Sequence, residues 1–208
     1  MNVLGIRCKD FYWHLINRTY EIPSAVLKWE ELYYYVNFDW KIVFTLPYET
    51  TSETSLQSMQ YQILNRYFPC KSCLNTWNPE LDKMCALCGV EETLEHYFFH
   101  CNFVKQFWDH LFIWWRRISD CNFNLGAIDI IFGLMNEGHD KLISVLSYCI
   151  ILAKKYILDC RTKDVNCSFD MFCDKLKSRL LIEEYIANIN CRFAEFIQKW
   201  YFVINDLN

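Results

Sequence analysis

Residues 85–101 read CALCGVEETLEHYFFHC. Cys85 and Cys88 form a Cys-x2-Cys pair, seven residues lead to His96, and four more lead to Cys101. Thiolates at that short spacing converge on one ion when the backbone makes a tight turn, and Gly89 directly after the pair supplies the backbone freedom such a turn needs. Thr93 is placed to cap a helical turn that carries His96. Three sulfurs and one imidazole fill a tetrahedron around Zn²⁺ and leave no open position for water, so the expected role of the metal is structural.

Spacing alone leaves other ligand sets open. Twelve Cys are spread through the 208 residues, and a pair of small buried thiols is the ordinary alternative to a metal site. Cys70 and Cys73 form a second Cys-x2-Cys, which together with Cys85 and Cys88 has the look of a four-cysteine ribbon. His100 lies one helical turn beyond His96 and could replace Cys101.

Outward from this stretch the chain reads as mainly α. It is 53% hydrophobic, 18% aromatic and 22% charged, with only 5 Gly and 4 Pro, which describes a folded chain rather than a disordered tail. The 8 Trp, 13 Tyr and 16 Phe are more aromatic surface than one small domain hides, so part of it is expected to meet a partner. Helical periodicity is expected over Lys9–Ile22, from Ser24 as a cap through Val36, over Leu56–Phe68, over Phe103–Ile118 and over Lys141–Cys160. Ser168–Ile204 reads as two helices meeting near Asn188–Cys191. Trp40–Leu46 is a short apolar run ending at Pro47, Cys70–Lys83 looks irregular, and Leu125–Gly133 reads as an apolar link. The resulting division is an N-terminal helical region (1–54), a knuckle region (55–120) and a C-terminal helical region (121–208).

The net charge is −4. A free-standing duplex binder is usually basic, so any nucleic-acid surface here has to be a local patch. Candidate patches are Arg66 on the helix before Pro69, Arg116-Arg117 at the end of another, and Lys154, Lys155, Arg161 and Lys163 at the end of the long one. The Lys154-Lys155 pair is favoured, because Asp159 alone cannot neutralise it together with Arg161 and Lys163. Lys175, Lys177 and Arg179 form a further cluster, and Tyr61 and Trp77 are candidates to stack on unpaired bases. No Asp-Asp pair, Gly-rich phosphate loop or nucleophile triad occurs, so no polymerase or nuclease centre is expected. The apolar run Leu142–Ala153 is too short to span a bilayer. With no secretory signal in the first residues, the cysteines are expected to be reduced, in the nucleus or cytoplasm.

Several phrases together carry a family resemblance. Trp40-Lys41-Ile42-Val43-Phe44 with Leu46-Pro47, SLQSMQYQILNRYFP at 55–69, ETLEHYFFHC at 92–101 and Phe107-Trp108 follow one another in this order. They resemble the zinc-binding region that lies C-terminal to the polymerase in LINE-type (non-LTR) retrotransposon reverse transcriptases, and CIILAKKYI at 149–157 resembles its downstream flank. The resemblance implies a CCHC knuckle between helices with Cys85, Cys88, His96 and Cys101 as ligands. It also implies template RNA or target DNA as a partner, with a reverse-transcriptase polymerase domain as a second. Ser and Gln in the 56–68 helix stand where family members often place basic residues, and Asn102 where a Pro is common.

Overall fold

The computed structural model describes residues 21–120, 125–135 and 141–207. The helix expected over Lys9–Ile22 lies almost entirely outside them. The chain divides into two compact units, Met1–Asn37 and Phe38–Asn208. In the first, α1 (Ser24–Leu32) begins after Pro23, whose carbonyl accepts the Val26 and Leu27 N–H groups at 2.9 and 3.4 Å. The expected cap, Ser24, is the first helical residue instead, because the fixed φ of Pro23 already sets up the turn. Trp29 is buried and stacks on Tyr33.

The second unit contains α2 (Trp40–Thr50), α3 (Thr54–Leu64), α4 (Lys71–Trp77), a π turn (His96–His100), α5 (Asn102–Ser119), α6 (Ala127–Phe132), α7 (Lys141–Lys163), α8 (Phe169–Ile189) and α9 (Phe193–Leu207). The mainly helical class is as expected. Among the described residues the β contribution is one isolated antiparallel bridge, Met84–Glu91. No helix among them is long and apolar enough to cross a membrane. The division expected at 54/55 and 120/121 cuts across this unit, since α7 packs against α2, α3, α5, α8 and α9 alike.

Helix α7 occupies the centre because it is apolar all round. Every residue from Val145 to Lys154 is buried, which removes the usual distinction between a core face and a solvent face. Phe107 of α5 meets Tyr156 of α7 and Phe172 of α8, with ring centroids 5.5 and 5.4 Å apart. Tyr148 packs edge-on against Trp200 of α9.

Three segments differ from the local reading. Helix α2 runs a turn past Pro47, which is itself buried and whose carbonyl accepts the Thr51 N–H at 3.2 Å. Residues 71–77, expected to be irregular, form α4 because Glu92 supplies its N-terminal partners: Lys71 N–H donates to Glu92 Oε1 at 3.1 Å and Ser72 N–H to the Glu92 carbonyl at 3.2 Å. The apolar link around 125–133 folds as α6, with Ile130, Ile131 and Phe132 buried. Gly133 ends it at φ +91, where a Cβ would collide with Leu46.

The exposed carbonyls at the end of α6 require donors, and Lys154 is one. Its ammonium nitrogen, fully buried, contacts Gln60 Oε1 of α3 and the carbonyls of Ile130 and Ile131, the latter two at 2.6 and 3.5 Å. Gln60 Nε2 donates to the Ile131 carbonyl at 2.8 Å. This corrects the reading of Lys154 as a phosphate contact, because it points into the core and no phosphate can reach it. Adjacent helical residues are turned by about 100°, so Lys155 faces elsewhere and pairs with Asp159 at 3.3 Å.

Burial pulls the Lys154 pKa down from 10.5 to about 7. Above that pH the folded chain has lost a proton that the unfolded chain keeps until pH 10.5, so rising pH favours the fold across that interval. Urea unfolding of the wild type in reductant is therefore expected to give a stability that climbs with pH relative to Lys154→Met. The difference in slope approaches the one-proton limit of about 1.4 kcal/mol per pH unit. Parallel pH profiles would show that Lys154 stays charged inside the fold.

Candidate metal centre

The turn after Met84 builds one half of the centre. Cys85 N–H donates to the Val90 carbonyl at 2.7 Å and Gly89 N–H to the Cys85 carbonyl at 2.8 Å, while Glu92 N–H donates to Lys83 at 2.9 Å. The loop is folded so tightly that Gly89 takes φ +70, a left-handed conformation that glycine adopts without steric cost. The two thiols of the Cys-x2-Cys pair therefore face the same side of the loop.

The other half comes from the π turn. Thr93 Oγ1 accepts the His96 N–H at 3.1 Å, as the sequence predicts, and the Thr93 carbonyl accepts the Tyr97 N–H at 2.8 Å. The Cys101 N–H then reaches back five residues to the His96 carbonyl at 3.0 Å. This wider turn brings His96 and Cys101 to one side, where an α-helix would set them half a turn apart. Cys101 closes the π turn and opens α5, whose Trp108 indole donates to the Phe98 carbonyl at 2.6 Å.

The four side chains meet. One ligand atom from each of Cys85, Cys88, His96 and Cys101 lies within 4.8 Å of the others. The Cys85–Cys101 and Cys88–Cys101 sulfurs are 3.9 and 4.0 Å apart, and Cys88 Sγ is 3.2 Å from His96 Nε2. A tetrahedral ion with metal–sulfur bonds of about 2.3 Å requires sulfurs about 3.8 Å apart. The donor set therefore fits a divalent metal, with Nε2 as the ligating nitrogen. Cys85, His96 and Cys101 are buried and Cys88 is half-buried. His100 is exposed, and Cys70 and Cys73 lie outside the cluster. Neither alternative set forms such a cluster among the described residues.

The surroundings favour metal-ready donors. Burial and the nearby Arg161 charge lower the His96 pKa, keeping the imidazole neutral as a ligand must be. Burial by itself would raise the Cys85 thiol, but the Leu87 N–H, Arg161 and Cys88 outweigh it and the net shift is downward. Burial pushes the Cys101 thiol up to about 11. A divalent ion supplies the charge that deprotonates such a thiol outright.

Arg161 is the element that local sequence reading misassigned. Expected on the surface, it is 8% exposed in its side chain, pairs with Glu92 Oε2 at 3.2 Å and lies 4.2 Å over the Tyr97 ring. Its partners sit 69 and 76 positions earlier, a separation no local pattern reveals. The other basic candidates are dispersed. Arg66 ends α3 at φ +58, Arg116 and Lys163 are exposed, and Arg117 is bonded to Asp206 at 2.9 Å. Asp159 serves both Lys155 and Lys175, so of the expected basic patch at the end of α7 Lys163 is what remains exposed without a carboxylate partner among the described residues. Tyr61 and Trp77 are exposed, as expected of stacking side chains.

Cys85→Ser, Cys101→Ser and His96→Ala are each expected to lose the metal and to open residues 83–118 to protease, while Cys70→Ser keeps both metal and protection. Chelator-coupled metal release and limited proteolysis check this. Retention of metal by His96→Ala with its loss in Cys70→Ser would overturn the ligand set.

A search of curated proteins finds no match to this chain. Residues 9–108, just under half of it, match the family described as zinc-binding in reverse transcriptase. All four clustered donors lie inside that stretch, so the chain carries a region similar to a reverse-transcriptase-associated zinc-binding domain.

Proposed function

We propose that this chain is the zinc-stapled, non-catalytic region that follows the polymerase in a LINE-type retrotransposon reverse transcriptase, and that it holds single-stranded template RNA or target DNA. The observation that carries this reading is the closed cluster of three thiols and one imidazole inside the stretch similar to the reverse-transcriptase family. Thiolate and imidazole in a tetrahedron select Zn²⁺ among common divalent ions. Bound zinc supplies a cross-link and no reaction. Cys85 and Cys88 fix the loop, His96 and Cys101 fix the π turn, and together they orient α5.

Nucleic acid would be met on the remaining exposed cations and rings. Arg116 and Lys163 are exposed with no carboxylate in an ion pair to either among the described residues, and Tyr61 and Trp77 offer flat faces to unpaired bases. The sequence has no Asp-Asp pair of the kind a polymerase centre uses to hold two metal ions, which supports the non-catalytic reading. Ten cysteines among the described residues form no disulfide, which suits a reducing compartment, the cytoplasm or nucleus.

A second reading has its own support. Leu181, Ile182, Tyr185 and Ile189 of α8 are each at least half exposed, the net charge is −4, and Lys154 of the favoured basic pair is buried. A protein-interaction module docking on a polymerase domain fits those facts. Fluorescence anisotropy with a labelled single-stranded RNA at several salt concentrations separates the two. The nucleic-acid reading expects affinity that falls steeply with salt, and a log–log slope that drops by about 1.4 in Arg116→Ala/Lys163→Ala as two phosphate contacts are lost. Negligible RNA affinity at low salt would leave the interaction module as the better account.

A further inference from the structure

A guanidinium stays charged at every pH a protein survives, and burying one unpaired is costly. The Arg161 side chain, 8% exposed, lies at the end of α7 with Glu92 as a carboxylate partner, and its buried Nε and Nη2 have no hydrogen-bond partner among the described residues. The nitrogen that meets Glu92, Nη1, is also the one that meets sulfur. Nη1 lies 3.9 Å from Cys85 Sγ, and the Tyr97 and Phe103 rings close over the group at 4.2 and 5.6 Å from its central carbon. Tyr97 and Phe103 flank the two ligands His96 and Cys101 in sequence.

The charge count explains this placement. Three thiolates, a neutral imidazole and a divalent ion leave one net negative charge on the centre. Glu92, itself 6% exposed, adds a second next to it. Lys71 does not answer this with its charge, since it reaches the Glu92 carboxylate through its backbone N–H while its ammonium meets the Met84 carbonyl and Asp82. We propose that Arg161 is the counter-ion of the metal centre, a positioning residue that offsets the excess charge of the loaded thiolate cluster and so couples metal binding to the seating of α7 on the knuckle. The proposal rests on the zinc reading above. It differs from a plain Arg161–Glu92 ion pair in one respect. A plain pair loses the same interaction whichever partner is removed, whereas a counter-ion makes the two removals opposite in sign.

The test is metal affinity by chelator competition, with cobalt spectra as a second readout, on the full chain. Arg161→Gln is expected to weaken zinc binding by about 10- to 100-fold, the usual cost of losing a group that supports metal ligands. Its sulfur-to-cobalt charge-transfer band is expected to move to longer wavelength, because a thiolate without a neighbouring cation gives up electron density more easily. Glu92→Gln removes a buried negative charge and leaves Arg161 to the sulfurs, so its affinity is expected to equal or exceed that of the wild type. Arg161→Lys, which keeps the charge without the planar fork, is expected to fall between wild type and Arg161→Gln. Wild-type affinity in Arg161→Gln overturns the proposal, as does a Glu92→Gln loss as large as that of Arg161→Gln. If Arg161→Gln does not fold, the Glu92→Gln result decides alone, a loss overturning and parity or gain supporting. Failure of the zinc reading is recognisable separately, since the wild type would then give no cobalt–thiolate band.

Discussion

Three sulfurs and an imidazole nitrogen within 4.8 Å of one another constrain everything around them. Hydrophobic burial is non-directional and would not hold residues 83–101 in their observed path, which is a loop, one isolated bridge and a π turn. The backbone bonds of Cys85, Gly89 and Cys101 arrange the donors, and a metal would lock that arrangement. The start of α5 follows from it, since Cys101 is at once a ligand and the residue from which α5 departs. From there Phe107, Trp108 and Leu111 reach the shared core. Segment 83–101 has little core of its own, and depends on the helices as much as it directs them.

Helix α7 answers that dependence with two basic side chains turned inward. Lys154 closes the C-terminal end of α6 and ties it to α3, and Arg161, about two turns later, meets Glu92 and Cys85. Both side chains end at groups that apolar packing cannot satisfy: bare helix-end carbonyls in one case, a carboxylate and sulfur in the other. Such groups confer specificity more than stability. A Leu at 154 would pack well and leave the Ile130 carbonyl without its donor. The long apolar helix is thus fixed in register by its few polar residues.

The sequence revealed the elements that carry their own signals. The 85–101 spacing with Thr93 as a cap located the donors, and the apolar periodicities of 103–118, 141–160 and 168–204 located α5 and α7–α9. Choosing among the possible ligand sets required the resemblance, and the structure then brought those four together while leaving His100 exposed and Cys70 and Cys73 outside the cluster. What escaped local reading was tertiary. Helix α4 exists because Glu92 caps it from 21 positions away, and α6 because its apolar residues are buried and Lys154 satisfies its end.

The misreading of the α7 cations has a physical moral for the binding surface. Lys154, Lys155, Arg161 and Lys163 look like one patch along the chain, yet a helix spreads four such positions around its axis. On a helix buried all round, several of them must be inside. Charge proximity in sequence therefore predicts a phosphate-binding surface only where the helix has a solvent face broad enough to collect the charges. Helix α5 has one. Its last turn places Arg116 in water and leaves Arg117 67% exposed in its side chain even while bonded to Asp206, beyond a buried face of Phe107, Trp108, Leu111, Trp114 and Trp115. Because α5 starts at a clustered donor, Cys101, its direction is set by the same residues that gather the metal. A surface on α5 would be oriented by that centre, whereas the end of α7 is occupied in holding the centre in place.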